Sequence, residues 1–143
     1  MTCDLECIPM WGVVTLEQGL EILKGSGAPN GGFVFDCTHF VRGGTSIATL
    51  KAIPGNLIHC VQVCDGYIPL RQDVTLEKEC FERLWPGEGD FPIASMLDAL
   101  NQVGGLVQIG PEIFSANMGT KSAEGVAELS RESLLQYKPL AQF

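Results

Sequence analysis

Residues 32–40 constrain the fold more than any other stretch of this sequence. An apolar, β-type run ends there in Asp36, and His39 follows three residues later. A buried carboxylate without a partner is costly, so something polar must lie at the end of this strand. Water, a partner side chain or a metal ion would each meet that requirement.

Strand-type and helix-type segments alternate along the chain. Strands are predicted over 5–9, 33–36, 57–64 and 106–114, and helices over 16–24, 46–52, 91–103 and 121–137. Thr15 and Gln18 have the spacing of a capping box for the first helix, and Asp90 is placed to cap the third. An irregular segment, 66–84, and a turn-rich loop, 85–90, lie between. This order is typical of parallel strands joined by crossover helices, the α/β class.

The overall composition restricts the classes of partner that this chain can bind. The 143 residues suit a single domain, and a net charge of −8 with only nine Lys and Arg argues against nucleic acid as a partner. No apolar run reaches the roughly 20 residues that span a bilayer, and no signal peptide opens the chain. We therefore expect a cytoplasmic protein without a membrane partner. The six cysteines are expected to be reduced thiols rather than disulfides or zinc ligands.

Each predicted strand carries an oxygen ligand at or near its C-terminal end. These residues are Glu6, Asp36, Gln62 and Glu112. Because the C-terminal ends of parallel strands face one side of the sheet, the four side chains could converge on one point. Such a set suits a divalent cation, Mn²⁺ or Mg²⁺. Hydrogen bonding within separate loops is the alternative that spacing alone leaves open.

Five segments occur in the order of a known family. They are LECIP (5–9), FDCTHFVRGG (35–44), IHCVQVCD (58–65), LWPGEGDF (84–91) and EIFS (112–115). Together they resemble the C-terminal half of the sugar phosphate isomerase/epimerase family, which has the xylose isomerase-like TIM-barrel fold. Inosose dehydratases and 3-dehydroshikimate dehydratases are relatives. The resemblance runs from about Asp4 to Leu135.

The resemblance implies roles for individual residues. Glu6, Asp36, Gln62 and Glu112 match the family's metal ligands, and His39 matches a histidine that contacts substrate oxygens. Many members have His where this chain has Gln62, and the Gln form is closer to the dehydratase-like and inosose-enzyme-like branches.

Three further residues are weaker candidates for substrate binding. Asp65 and Glu88 follow matched motifs, and Arg71 could meet a polar or anionic substrate group. A surface salt bridge is the alternative for Arg71. His59 lies well before its strand end, and we expect a structural role for it.

The implied reaction starts from a sugar or hydroxy-ketone whose carbonyl is polarised by the metal. Glu6 or Glu112 would then remove a proton from the adjacent carbon to give an enediolate. Return of the proton to the same or the neighbouring carbon, or to the opposite face, is the reaction of an isomerase or epimerase. Loss of a β-hydroxyl instead is the reaction of a lyase that dehydrates an inosose or 3-dehydroshikimate. An inactive truncated barrel is the remaining alternative.

The length fits only part of such a barrel. A (βα)8 barrel takes about 250 residues, whereas this chain has 143. We expect residues 1–143 to be the C-terminal part of the barrel, with roughly the last five strands and without the N-terminal ones. The open edges indicate a truncated gene product, a fragment of a longer chain or a wrongly placed start. Association into a homo-oligomer or with a complementing N-terminal chain is the other possibility.

Overall fold

The computed structural model describes residues 1–138 and places four strands in one parallel sheet. They are β1 Cys3–Glu6, β2 Gly31–Asp36, β3 Ile58–Val63 and β4 Ile109–Pro111. Their order across the sheet is their order in the chain. Successive parallel strands require crossover connections, and this arrangement is one arc of a barrel.

The connections contain most of the helices. These are α1 Leu16–Ser26, α2 Cys37–Arg42, α3 Ile47–Ala52, α4 Leu76–Glu79, α5 Ile93–Gln102 and α6 Ala123–Leu135, with 3₁₀ turns at Gly55–Leu57 and Ala116–Thr120. The capping box predicted for α1 is confirmed: Thr15 Oγ1 accepts from the Gln18 amide, and Gln18 Oε1 accepts from the Thr15 amide. Gly27 ends this helix with φ 62°, the left-handed conformation that favours glycine.

Several predicted elements differ from the structure. Residues 1–138 form four strands, the number that the sequence pattern predicts and one fewer than the roughly five that the resemblance implies, because the segment after β3 makes only the isolated bridges Asp65↔Leu84 and Glu82↔Ser115. The strand predicted over 106–114 is limited to Ile109–Pro111. Asp90 does not cap α5, since its Oδ2 accepts from the Ile68 amide and the helix begins after Pro92.

The two faces of the sheet have different chemistry. Phe33, Phe35, Val61 and Val63 are buried and belong to the apolar core that includes residues of α3 and α5. Because strand side chains alternate, the residues between them lie on the other face, the inner face of the arc. The register shift between Phe33 and Val34 leaves His59 as an extra residue and breaks the alternation there, so its ring lies on this face over Gly32. A β-carbon at position 32 would be 2.3 Å from His59 Cε1 and 2.7 Å from the Leu57 carbonyl oxygen. Glycine is therefore required at this contact.

The structure can be compared with two expectations drawn from the composition, on membrane spans and on cysteines. None of the helices within residues 1–138 has the length and apolar character to cross a membrane. The cytoplasmic location stays a prediction. The six cysteines, all of which lie in the described part of the chain, are free thiols.

Candidate active site

The four predicted ligands lie at one edge of the sheet. Glu6 is the last residue of β1 and Asp36 the last of β2, Gln62 is one residue from the end of β3, and Glu112 follows β4 directly. Asp36 and Gln62 are paired in the register of β2 and β3. The parallel order of the strands therefore brings all four to the C-terminal side of the arc.

Helix α2 begins at once after β2, and this turn returns His39 to the strand end. Asp36 is the N-cap of α2, and its Oδ1 accepts a hydrogen bond of 2.8 Å from the His39 amide. His39 Nε2 lies 3.5 Å from Glu6 Oε1. Ligand atoms of Glu6, Asp36 and His39 all lie within 4.8 Å of one another. The DxxH motif is thus a helix cap whose two side chains enter the site.

Arg83 is the site residue that sequence reasoning missed. Its guanidinium Nη1 lies 2.7 Å from Asp36 Oδ2 and 2.5 Å from Glu112 Oε2, and Nη2 lies 3.4 Å from His39 Nε2. The side chain is only 3% exposed. No spacing rule points to it, because it follows the short helix α4 in an irregular segment. The signal was electrostatic, since several converging buried carboxylates need a nearby cation.

The hydrogen bonding of Gln62 indicates whether the cluster suits a metal ion. Its Nε2 donates to Glu112 Oε1 over 2.8 Å, whereas its Oε1 is buried and has no hydrogen-bond partner. An unpaired buried acceptor costs about 1–3 kcal/mol. A cation held between this oxygen and the neighbouring carboxylates would satisfy it. The residues present therefore fit a divalent ion with oxygen ligands. We call Glu6, Asp36, His39, Gln62, Arg83 and Glu112 the strand-end cluster.

Burial and nearby charges shift the pKa values of Glu6 and His39 in this cluster. Burial, with the charges of Asp36 and Glu112, raises the pKa of Glu6 to about 7. Burial, followed by the Arg83 charge, lowers the pKa of His39 to about 4. Near neutral pH the imidazole is therefore uncharged, while the Glu6 carboxyl is poised to gain or lose a proton.

The structure places the three weaker candidates in other contacts. Asp65 is buried, and its carboxylate accepts hydrogen bonds of 2.8–3.0 Å from the amides of Gly66, Gly87, Gly89 and Phe91. Glu88 is exposed and accepts from the Trp85 amide. Arg71 is exposed and forms ion pairs with Glu82 and Asp73. His59 pairs with Asp4 over 2.5 Å.

A cavity of about 330 Å³ opens beside the strand-end cluster. His39 and Arg83 line it, so it gives access to the cluster. Its remaining lining is largely apolar and comprises Ile8, Met10, Trp11, Glu77, Cys80, Phe81 and Phe114. We call this cavity the vestibule. It can admit a small molecule to the carboxylates and the imidazole.

The sequence model of one family, the xylose isomerase-like TIM barrel, matches residues 1–137. The chain belongs to this family. The fold and the family resemblance predicted from the sequence are thereby confirmed, with four strands of the barrel in residues 1–138.

Curated relatives in bacilli are named inosose isomerases. The protein from Bacillus velezensis is 30% identical over 125 residues, which is 87% of this chain and 43% of the relative. The one from Bacillus subtilis strain 168 is 28% identical, over 87% of this chain and 44% of its own length. The chain thus spans less than half the length of these relatives.

A solved structure of an IolI protein with a bound zinc atom superposes on 99% of this chain with a TM-score of 0.87 at 25% identity. The match covers 51% of that chain. An L-ribulose 3-epimerase superposes on 97% of this chain with a TM-score of 0.67, but at 16% identity this likeness shows the fold alone.

Proposed function

We propose that the strand-end cluster is the metal centre and acid–base site of an isomerase that acts on a sugar or a related keto-polyol. The observation that carries the proposal is the unpaired Oε1 of Gln62, buried among the predicted carboxylate ligands. The names of the inosose isomerase relatives support the reaction class. An epimerase would use the same groups.

Glu6, Asp36, Gln62 and Glu112 would hold the ion. A divalent metal bound there polarises a carbonyl and acidifies the adjacent C–H bond. The sequence predicts Mn²⁺ or Mg²⁺, and the zinc atom of the IolI protein adds Zn²⁺ to the candidates. Arg83 holds Asp36 and Glu112 in position. Two of the four metal-binding side chains are therefore oriented before an ion or a substrate binds.

Glu6 is the best-placed group to carry the proton. Burial and the neighbouring carboxylates raise the pKa of Glu6 to about 7 in the metal-free protein, and a bound cation would lower it, so the carboxylate form that accepts a proton would prevail near neutral pH. Glu112 would serve as the second carboxylate. A proton taken from one carbon and returned to its neighbour gives isomerisation, whereas return to the opposite face gives epimerisation.

His39 and Arg83 would stabilise the substrate oxygen that gains charge. Both line the vestibule, and both can offer an N–H group there. Preorganised donors at such an oxygen are often the largest single contribution to catalysis. The low pKa of His39 keeps the ring neutral, so the imidazole would act as a hydrogen-bond donor rather than as a charged acid.

One residue favours a second candidate, the dehydration of an inosose or 3-dehydroshikimate. Gln62 stands where, by the resemblance, many family members have His, and this form is closer to the dehydratase-like and inosose-enzyme-like branches. The same cluster would remove the first proton in either reaction. The two reactions differ in whether a β-hydroxyl leaves, which the products reveal directly.

A keto-polyol panel followed by NMR, with Zn²⁺, Mn²⁺ or Mg²⁺ added, tests the proposal. We expect rearrangement without loss of water, and calorimetry should show metal binding. Asp36→Asn, which removes a charged ligand while keeping the side-chain shape, should abolish both. Asp73→Asn, an exposed acid, is the matched control and should change neither. Loss of water would favour the lyase, and unchanged metal affinity in Asp36→Asn would remove Asp36 from the ligands.

A further inference from the structure

Arg83 contacts the carboxylate oxygens that a metal ion would need. Its Nη1 lies 2.7 Å from Asp36 Oδ2 and 2.5 Å from Glu112 Oε2. The other two oxygens of these carboxylates accept from uncharged donors. Asp36 Oδ1 accepts from the His39 amide, and Glu112 Oε1 accepts from Gln62 Nε2. The oxygens left for a cation are therefore the two that the guanidinium already holds.

The hydrogen bonding of the Arg83 guanidinium is uneven. Nη1 also lies 3.3 Å from the Glu112 carbonyl oxygen and 3.7 Å from Cys64 Sγ, so its two N–H bonds have four acceptors within reach. In contrast, Nε is buried without a hydrogen-bond partner among the described residues, and Nη2 lies 3.4 Å from His39 Nε2. The donors at Nε and Nη2 could therefore serve a further acceptor.

The vestibule gives the guanidinium room to move. Arg83 and Phe114 both line this cavity of about 330 Å³. Arg83 Cζ lies 5.8 Å from the centre of the Phe114 ring, which is within range of a cation–π contact. A guanidinium that left the carboxylates could therefore stay beside an aromatic ring while its N–H groups point into the vestibule.

Charge repulsion would make the guanidinium compete with a divalent ion. Oxygen ligands hold such ions at about 2.0–2.2 Å, so an ion on Glu112 Oε2 would lie less than about 5 Å from Arg83 Nη1. Repulsion between a divalent ion and a guanidinium at that distance outweighs the benefit of orienting two side chains in advance. Arg83 would therefore lower the affinity of the cluster for the ion, although it orients two of the ligands.

We propose that Arg83 is the internal counter-cation of the strand-end cluster. It neutralises Asp36 and Glu112 until a divalent ion binds, and it then turns from them toward the vestibule, where its N–H groups meet the substrate oxygen. This inference rests on the proposed function and adds an order of events to it. The ion binds first, and its binding frees the donor that the substrate needs.

Zinc calorimetry on the protein stripped of metal tests the competition. Arg83→Gln, which removes the charge, should raise zinc affinity at least about tenfold. Arg83→Lys keeps the charge and should stay close to the wild type. Arg71→Gln is the matched control, because Arg71 also pairs with carboxylates but is exposed, and it should change nothing. Equal or lower zinc affinity in Arg83→Gln overturns the inference.

Urea denaturation shows whether Arg83→Gln folds and gives a second readout. In the presence of a chelator this variant should be less stable than the wild type, because two buried carboxylates lose their cation. Added zinc should narrow the gap, since the ion that binds more tightly stabilises the folded state more. A gap of equal size in both conditions would give Arg83 a structural role alone and contradict the inference.

Nitrogen-15 NMR of the wild type follows the Arg83 side chain itself, with Arg83→Lys identifying its signals. Its Nη–H groups should exchange with water faster once zinc is bound, because they leave a buried ion pair. Arg42 is the internal control, since its guanidinium pairs with the buried Glu79 outside the cluster, and its signals should not change. Arg83 signals that stay protected at saturating zinc overturn the inference.

These outcomes separate the inference from the proposed function. Zinc binding that leaves Arg83 on the carboxylates overturns the inference and upholds the metal centre. Ion binding by Arg83→Gln but not by the wild type upholds the competition and overturns the metal centre of the wild-type protein. Absence of ion binding by both proteins overturns both.

Discussion

At the scale of single residues, Arg83 fixes how the carboxylates are arranged. Asp36 Oδ2 and Glu112 Oε2 both contact its guanidinium, while Asp36 Oδ1 accepts from the His39 amide and Glu112 Oε1 accepts from Gln62. All four oxygens of these two carboxylates therefore accept hydrogen bonds, which fix the orientation of both groups. Such preorganisation lowers the cost of arranging ligands when an ion or a substrate binds.

Replacing His39 separates substrate contact from metal binding. If His39 acts on substrate oxygens, His39→Ala should cut turnover by about 10²-fold or more, the scale for losing one catalytic donor. Zinc affinity measured by calorimetry should stay close to that of the wild type. A large loss of zinc affinity would instead make His39 a metal ligand, which its position near Glu6 and Asp36 allows.

Glu6 should make the stability of the metal-free protein depend on pH. Its pKa is raised from 4.5 to about 7 in the folded state, so the folded protein holds this proton more tightly than the unfolded chain. Wild-type stability should therefore fall as pH rises through that window. Glu6→Gln, which does not titrate, should be more stable than the wild type by about 1–2 kcal/mol above the window, after allowance for partial exposure.

Urea denaturation between about pH 5 and pH 8, in the presence of a chelator, measures this difference. The gap between Glu6→Gln and the wild type should widen as pH rises. Glu88→Gln, at an exposed position, is the control and should follow the wild type. Parallel curves for Glu6→Gln and the wild type would show that Glu6 carries no raised pKa.

The sequence predicts the strand-end residues but not Arg83, and the reason is physical. A carboxylate that ends an apolar strand is visible from local pattern alone, as Asp36 shows. Arg83 reaches the cluster across 47 residues of chain, from a segment without helix or strand periodicity. Its position depends on the bridges that attach 82–84 to the strand ends, and such long-range pairing leaves no local signal.

At the scale of elements, Asp65 organises the loop that begins after β3. Its two carboxylate oxygens accept from backbone amides in the 87–91 stretch and from Gly66. These hydrogen bonds explain why Asp90 does not cap α5, although it has the spacing of a helix cap. The loop is fixed by Asp65, and α5 begins only after Pro92. Tertiary hydrogen bonds here override a local capping signal.

Asp65→Asn should therefore destabilise the fold. The amide keeps the shape of the carboxylate, but its NH₂ group would face backbone N–H donors and leave some of them buried without an acceptor. We expect a loss of about 2–4 kcal/mol in the free energy of unfolding, measured by urea denaturation. The exposed Asp73→Asn should change it by less than about 0.5 kcal/mol. Equal stability of the two variants would contradict the organising role of Asp65.

At the scale of the whole molecule, the four-stranded arc has two edge strands, β1 and β4. Its inner face includes Val34 and its register partner Cys60, both partly exposed. Exposed edges favour further strand pairing, and exposed apolar side chains on the inner face favour a cover that removes them from water. We expect additional barrel strands to cover them, in keeping with the 43–44% of the inosose isomerases that this chain matches.

Mixing the chain with the unmatched part of the Bacillus velezensis protein tests this expectation. Light scattering should show a one-to-one complex, and Cys60 should react more slowly with a thiol reagent, with Cys60→Ser identifying its signal. A dimer of this chain alone that protects Cys60 would assign the cover to a second copy. Unchanged mass and unchanged labelling would contradict closure of the inner face.

Exchange with deuterated water measures proton transfer by the strand-end cluster most directly. With Zn²⁺ or Mn²⁺ present, NMR of an inosose in D₂O should show loss of the C–H signal beside the carbonyl as a solvent deuteron enters. Glu6→Gln and Asp36→Asn should prevent this exchange, whereas Asp73→Asn should not. Absence of exchange with every divalent metal, or exchange that persists in both cluster variants, would contradict the account.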